Sequence, residues 1–268
     1  EIPNNGVDDD ANGYIDDVYG WDFVVKDRDG NGVFSVGDEG DNDPRPDPDE
    51  RNLDGIEDRI HHGTVVAGLI GAVGNNEKDG TGLLWDVRLM NVRVVENDGV
   101  GTFEPLIDAI YYAVDNGADI INLSLNGPNW SQDLEDAFAY AYEQGVTVVA
   151  AAGNNSSSLS EKPRYPVCAD DDVDEEWVIG VSAVRPNRQF APFSNYGSTC
   201  VDITAPGINI ASTLRFSPTN GYPDRYGTGW SGTSFAAPLV SGVAGLIAAV
   251  QPTWGPAEIF KHSQGRPV

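Results

Sequence analysis

Basic residues are scarce in this sequence. There are 16 Lys and Arg, only four of them Lys, against 42 Asp and Glu in 268 residues, a formal net charge of −26 at pH 7. A surface of that sign repels phosphate, and no basic stripe interrupts it, so nucleic acid is excluded as a partner. Long apolar runs are missing as well. VAGLIAAV (243–250) falls well short of the roughly 20 residues a membrane span needs, so it reads as a buried helix and no membrane partner is expected. The opening EIPNNGVDDD has neither the basic start nor the apolar middle of a signal peptide, and no Met begins it; it reads as a mature, trimmed or partial chain. Cysteine is limited to Cys168 and Cys200, whose spacing fits no metal-ligand pattern; one disulfide and two separate buried thiols are both open.

What remains is a composition of 40% hydrophobic residues with 31 Gly and 17 Pro, enough to bury the core of one globular domain. The carboxylate excess calls for compensation by bound cations, by salt, or by distance across the surface. Residues 1–60, rich in Asp, Asn, Gly and Pro, read as an acidic N-terminal part made of loops held by ligands. Residues 61–268 read as a second, larger part, cut short at both ends. From Gly63 onward strands and helices alternate. VRLMNVRVV (87–95), ADIINLSL (118–125), VTVVAAAG (146–153), EWVIGVSAV (176–184) and CVDITA (200–205) predict strands. FEPLIDAIYYAVDNG (103–117), DLEDAFAYAYEQG (133–145) and the run after Ser234 predict helices. Near-continuous apolar strands between amphipathic helices imply an α/β fold, a mostly parallel sheet with helices on both faces. Such a sheet binds ligands beyond the carboxyl ends of its strands and at nearby helix starts.

The acidic front holds two loops with calcium spacing. In DRDGNGVFSVGD (27–38), Asp27, Asp29 and Asn31 fall at positions 1, 3 and 5. Gly32 supplies the turn, Val33 a carbonyl at 7, Ser35 position 9 and Asp38 position 12. DDDANGYIDD (8–17) repeats the scheme with Asp8, Asp10, Asn12 and Asp16, although Tyr19 occupies its position 12. Structural Ca2+ is the expected cofactor. The acidic runs 41–58 and 169–177 read as a solvated linker and a surface loop.

A serine becomes nucleophilic near neutral pH with a base beside it, usually histidine. The oxyanion formed on attack needs donors, which a side-chain amide and a helix-start N–H can supply. Three segments offer these groups: HHGTVVAGLIGA (61–72) opens a helix on a histidine, VVAAAGNNS (148–156) ends a strand on Gly153-Asn154, and GTSFAAP (232–238) sets Ser234 before an apolar helix. Taken singly, Ser234 is an N-cap, His62 a capping or buried histidine, and Asn154 a turn residue. Together and in this order they read as nucleophile, base and oxyanion donor.

HGTxVAG, AAGN and GTSFAAP, with INLSLNG (121–127) and NYGS…VDITAPG (195–207) between them, resemble the motifs of the subtilisin-like serine proteases, the subtilases, over most of the chain. The resemblance implies a secreted, monomeric endopeptidase cutting polypeptides through an acyl-enzyme, with a propeptide in the complete protein. Ser234 would be the nucleophile, His62 its general base, and Asn154 with the Ser234 N–H the oxyanion donors. His61 would be a neighbour, because the motif's His directly precedes Gly63. Substrate would add as a strand to Ser124, Leu125, Asn126 and Gly127 on one side and to Gly99–Thr102, with Gly99 and Gly101, on the other. The S1 pocket would lie between the first of these and Ala151–Asn154, lined by Ala152 and Gly153. In PRYP, Arg164 stands where the family has a small residue; it would favour an acidic P1 side chain, or else point to solvent and pair with carboxylates.

One departure from the family is serious. Its triad Asp lies on a strand upstream of the histidine, in a V-x-D-[ST]-G setting, and no such segment precedes His62. That strand is expected some 20–40 residues before Glu1, and the chain alone is expected to be inactive. Two other readings compete: a non-catalytic calcium-stabilised binding module, and an esterase. The latter would carry a G-x-S-x-G elbow with its histidine after the serine, whereas here His62 comes first.

Overall fold

The structure, a computed structural model, describes residues 2–24, 40–45, 58–95, 101–170 and 175–266. The calcium-type loop 27–38 therefore lies outside the described residues. The chain divides into two compact units, 1–60 with 89–118, and 61–88 with 119–268.

In the first unit β1 (Gly20–Asp22) pairs in parallel with β2 (Asn91–Arg93), and α2 (Phe103–Asp115) packs on β2. The acidic front thus contains a strand that its lack of periodicity hid, and β2 is shorter than the 87–95 run. Tyr14, Trp21, Phe23 and Tyr112 form an edge-to-face aromatic cluster. Asp22, 1% exposed, pairs with Arg93 at 2.8 Å and accepts the Val24 N–H, the partners a buried carboxylate needs. In the 8–17 loop, Asp8 accepts the N–H groups of Asn12 and Gly13, and Asp16 those of Asn5 and Gly6. The Asn12 amide donates to Asp17 and Asn116. Those oxygens are turned to the backbone, and among the described residues no three His, Cys, Asp or Glu side chains are grouped to hold a metal ion. The Asp10 carboxylate likewise accepts the Asn12 N–H.

The second unit is the α/β sheet. Strands β3 (Ile120–Leu123), β4 (Thr147–Ala151), β5 (Val178–Val184) and β6 (Ile203–Pro206) run parallel in that order. Val149, Ala151, Ile179, Val181 and Ala183 face α4 (Thr233–Val250) and α5 (Pro256–Ser263), meeting Ala236, Ala237, Val240 and Phe260. Val148 and Ala150, turned to the other face by strand alternation, are equally buried, and α3 (Gln132–Glu143) packs on β4. α4 extends well beyond 243–250, back to Thr233. By length and composition its 18 residues could cross a membrane, but half of them are buried in the protein, as in a core helix. β7 (Ile210–Thr213) and β8 (Tyr226–Trp230) form an antiparallel pair, and α1 (Asp58–Gly71) rests Val65, Val66 and Leu69 on Ile210, Leu214, Trp230 and Phe235.

A disulfide joins Cys168 and Cys200, settling the open cysteine question in favour of a bridge. Beside it lie two carboxylates held by β5: Asp170 accepts the Val178 N–H at 2.8 Å and Asp202 the Gly180 N–H at 2.7 Å. Burial, reinforced by Glu176 and, for Asp202, by the charge of Asp170, raises Asp202 to about 7 and Asp170 to about 6, against the pull of those N–H groups and, for Asp202, of Arg266. A carboxyl whose folded pKa is raised favours the fold below its unfolded value of 3.8 and loses that contribution as pH climbs through the folded value. Stability is therefore expected to fall between about pH 4 and 7, by at most about 1.4 kcal/mol per pH unit for each proton. Asp202→Asn, which keeps an acceptor for Gly180, is expected to flatten that slope and raise the melting temperature at pH 8. A thermal-melt series in which parent and variant run parallel across this range would refute the assignment.

Candidate active site

Ser234 is the second residue of α4, one position after the first-turn Thr233. Its N–H points out of the helix start, where backbone donors have no partner within the helix, and it donates to nothing among the described residues. The Ser234 carbonyl is equally unusual. Its helical donor would be the N–H of residue 238, which is Pro238 and has none. Ser124 fills the vacancy: its Oγ donates to the Ser234 carbonyl at 2.8 Å, and Ser234 Oγ donates back to the Ser124 carbonyl at 3.2 Å. The proline inside the helix thus joins the end of β3 to the serine.

Asn154 follows β4 through Gly153, whose φ of +100° suits glycine. Asn154 Oδ1 accepts both the Thr233 N–H (2.9 Å) and Thr233 Oγ1–H (3.0 Å), while Thr233 Oγ1 accepts the Gly153 N–H (3.0 Å). With its oxygen fixed by two donors, the amide presents Nδ2 on the Gly232 side, 3.3 Å from where a Cβ on Gly232 would stand. Asn154 is exposed and Thr233 wholly buried. The loop is held from below by Asn195, also wholly buried. Asn195 Oδ1 accepts the N–H groups of Asn155 and Ser157, and its Nδ2 donates to the Ala152 carbonyl.

His62 lies on α1, which approaches β7 closely because Gly68 has no side chain; a Cβ there would strike Thr213 and Ser212. Ser212 and Thr213 donate their hydroxyls to the carbonyls of Val65 and Thr64, fixing the helix. The His62 ring packs 5.5 Å from that of Phe235, the residue after Ser234. Burial pulls its pKa below the ordinary 6.5, so it is neutral at pH 7, the form a base requires. His62 makes no hydrogen bond among the described residues, and Ser234 Oγ is turned to Ser124. His61 is differently occupied: its Nδ1 accepts the Arg215 N–H at 3.1 Å, and its ring meets Tyr222 and Trp230.

The substrate-binding expectations separate. Gly127 and Tyr165 exchange backbone hydrogen bonds at 2.7 and 2.9 Å, and Arg164 Nε donates to Asn126 Oδ1 at 3.1 Å. Asn126 also lies against Gly153, since a Cβ on that glycine would meet its Nδ2 at 2.9 Å. Ser124–Gly127, Ala152–Asn154 and Arg164 are thus brought together. Arg164 makes no ion pair among the described residues, so the solvent-facing carboxylate pairing is not what is found. Gly99 lies outside the described residues; Gly101 belongs to the first unit, against Val94 and Val95. Reasoning from the sequence did not anticipate Asn195, Thr233 or Pro238 as parts of the site. For Pro238 a signal existed, because a proline four residues after a serine in a helix frees that serine's carbonyl.

Comparison with known proteins places this geometry among relatives. Residues 24–263 match the model of the Subtilase family. Over 247 residues the chain is 39% identical to a thermophilic serine proteinase of Bacillus sp. (strain AK1), covering 89% of this chain and 56% of that protein. It is 38% identical to thermitase of Thermoactinomyces vulgaris over 232 residues, 87% of this chain and 67% of thermitase. Among solved structures, a protease of Pseudoalteromonas arctica PAMC 21717 superposes with a TM-score of 0.66 at 32% identity, over 75% of this chain and 62% of the other. A cold-adapted subtilisin-like serine proteinase superposes with a TM-score of 0.64 at 30% identity, over 77% and 67%. This chain spans little more than half the length of the Bacillus proteinase, and it belongs to the subtilase family of serine peptidases.

Proposed function

We propose that the chain carries the serine-endopeptidase centre of a secreted, monomeric enzyme that cleaves polypeptides through an acyl-enzyme. Ser234 Oγ, rotated from the Ser124 carbonyl toward His62, attacks the scissile carbonyl while His62 takes its proton. The oxyanion is held by Asn154 Nδ2–H and the Ser234 N–H, and His62 then protonates the leaving amine. The observation that carries this reading is the double fixation of Asn154 Oδ1 by Thr233, which leaves the amide donor beside the unpaired Ser234 N–H. A plain turn asparagine has no need of such orientation.

No carboxylate orients His62 among the described residues, where burial is what shifts it. The chain by itself is accordingly slow, by roughly 10⁴-fold in turnover against a complete triad. Peptide runs along Ser124–Gly127, with P1 between Ser124–Gly127 and Ala152–Asn154. Arg164, unpaired beside Asn126, favours an acidic P1 residue. Structural Ca2+ is assigned to Asp27, Asp29, Asn31, Val33, Ser35 and Asp38 on their spacing alone.

A fluorophosphonate probe tests the central claim. Mass spectrometry is expected to find a single adduct, on Ser234. An unlabelled serine under conditions that label a subtilisin control would favour a calcium-stabilised binding module instead.

A further inference from the structure

Ser234 has two flanks. On one stand Asn154, Asn126 and Arg164. On the other, ring contacts run from His62 to Phe235 (5.5 Å), from Phe235 to Trp230 (5.6 Å), and from Trp230 to His61 (6.4 Å) and Tyr222 (5.3 Å from His61). That path ends on Arg215, whose backbone N–H holds His61 and whose guanidinium lies 5.3 Å over the Tyr222 ring. Across the hairpin Arg225 lies 3.5 Å over the Phe216 ring.

Two features of this flank need explaining. In a chain of net charge −26, neither Arg215 nor Arg225 has a carboxylate partner among the described residues. Both are set instead on aromatic faces, which hold a guanidinium in place while leaving its N–H edge for another acceptor. Moreover, Arg215 Nη1 and Trp230 Nε1 are buried donors with no acceptor. Buried donors without acceptors are rare in folded proteins, and these two lie on the flank where the guanidiniums have no carboxylate among the described residues.

The direction of the chemistry says which part of a substrate meets this flank. His62 must deliver its proton to the nitrogen of the departing amine, so the residues that leave with that amine lie on the His62 side. We propose that Arg215, supported by Tyr222, Trp230 and Arg225, forms an anion-accepting subsite for an acidic side chain within two residues on the leaving-group side of the scissile bond. The inference rests on the roles of Ser234 and His62 given above. It adds a second acidic preference, independent of Arg164, on the opposite side of the cut.

Acyl transfer reads this subsite directly. A peptide thioester acylates Ser234, releasing the thiol. An added amine then competes with water: its nitrogen attacks the acyl carbonyl carbon, the bond to Ser234 Oγ breaks, and the proton lost by the amine passes through His62 to that oxygen. With dipeptide amides carrying Glu or Gln at either position, the Glu nucleophile is expected to capture the acyl group about 10-fold more efficiently than its Gln counterpart, as a charge-assisted pair allows. The preference is expected to shrink to within twofold in Arg215→Gln and to persist in Arg164→Gln. Because the Glu-to-Gln ratio is measured within each protein, loss of overall activity in a variant does not mimic the effect. Equal capture of Glu and Gln by the parent overturns the inference alone. So does a Glu preference that survives in Arg215→Gln, or one that disappears only in Arg164→Gln. Failure to form any acyl-enzyme overturns the reading of Ser234, and this inference with it.

Discussion

A Ser234→Ala chain is expected to lose fluorophosphonate labelling completely, yet to lower kcat on a peptide anilide by only about 10²-fold. The modest second figure follows from the way a triad works as a unit. Removing the serine from a complete triad costs about 10⁶-fold, whereas removing the carboxylate alone costs about 10⁴-fold, and the losses do not add. If this chain already lacks a carboxylate on His62, most of the loss has been taken, and only the difference remains for the serine to reveal. In a form of the protein where a carboxylate does reach His62, the same substitution is expected to cost the full 10⁶-fold. Steady-state kinetics normalised to folded protein would decide. A 10⁶-fold drop in the present chain would mean that His62 is already oriented by a group other than the described residues. No drop at all would remove Ser234 from the mechanism.

How much of this was legible in the sequence depends on the distance over which each feature is determined. The helices at Phe103–Asp115, Gln132–Glu143 and Thr233–Val250 and the strands from Ile120 to Pro206 were readable, because periodicity is local. His62, Asn154 and Ser234 could be proposed as a group because each sits in a short, unusual run of small residues. The structure adds relations between residues far apart in the chain. Ser124 and Ser234 exchange hydrogen bonds across 110 positions. Arg164 looked equally able to face solvent, and its bond to Asn126 depends on the Gly127–Tyr165 pairing that brings the two segments together. β1 escaped notice because three residues carry too little pattern. The 8–17 loop could be read two ways, because Asp and Asn bind backbone N–H groups as readily as they bind cations. The spacing of a calcium loop and that of a run of Asx turns are alike until the hydrogen bonds are seen.

Asn195 is the sharpest case: it opens a segment that resembles the family's, but nothing there tells what its side chain holds. Its oxygen holds the Asn155 and Ser157 N–H groups, its amide holds the Ala152 carbonyl, and its backbone N–H donates to the Gly153 carbonyl. Four residues flanking Asn154, namely Ala152, Gly153, Asn155 and Ser157, are thereby positioned by one side chain and its peptide. Asn195→Ala leaves two donors and one acceptor without partners; at the lower end of about 1–3 kcal/mol for each group, since Asn155 and Ser157 are not fully buried, a loss of about 3–5 kcal/mol is expected. For a domain of this size that lowers the melting temperature by roughly 6–15 °C. Asn195→Asp is the more telling substitution. It keeps an acceptor for Asn155 and Ser157 but turns a second oxygen on the Ala152 carbonyl and brings an uncompensated charge into a wholly buried position. It is expected to be at least as destabilising as alanine, with the melting temperature recovering as pH is lowered and the new carboxyl takes up a proton. If Asp proved harmless at pH 8, the Asn195 amide would not be donating to Ala152, and the geometry that aims Asn154 would need another source.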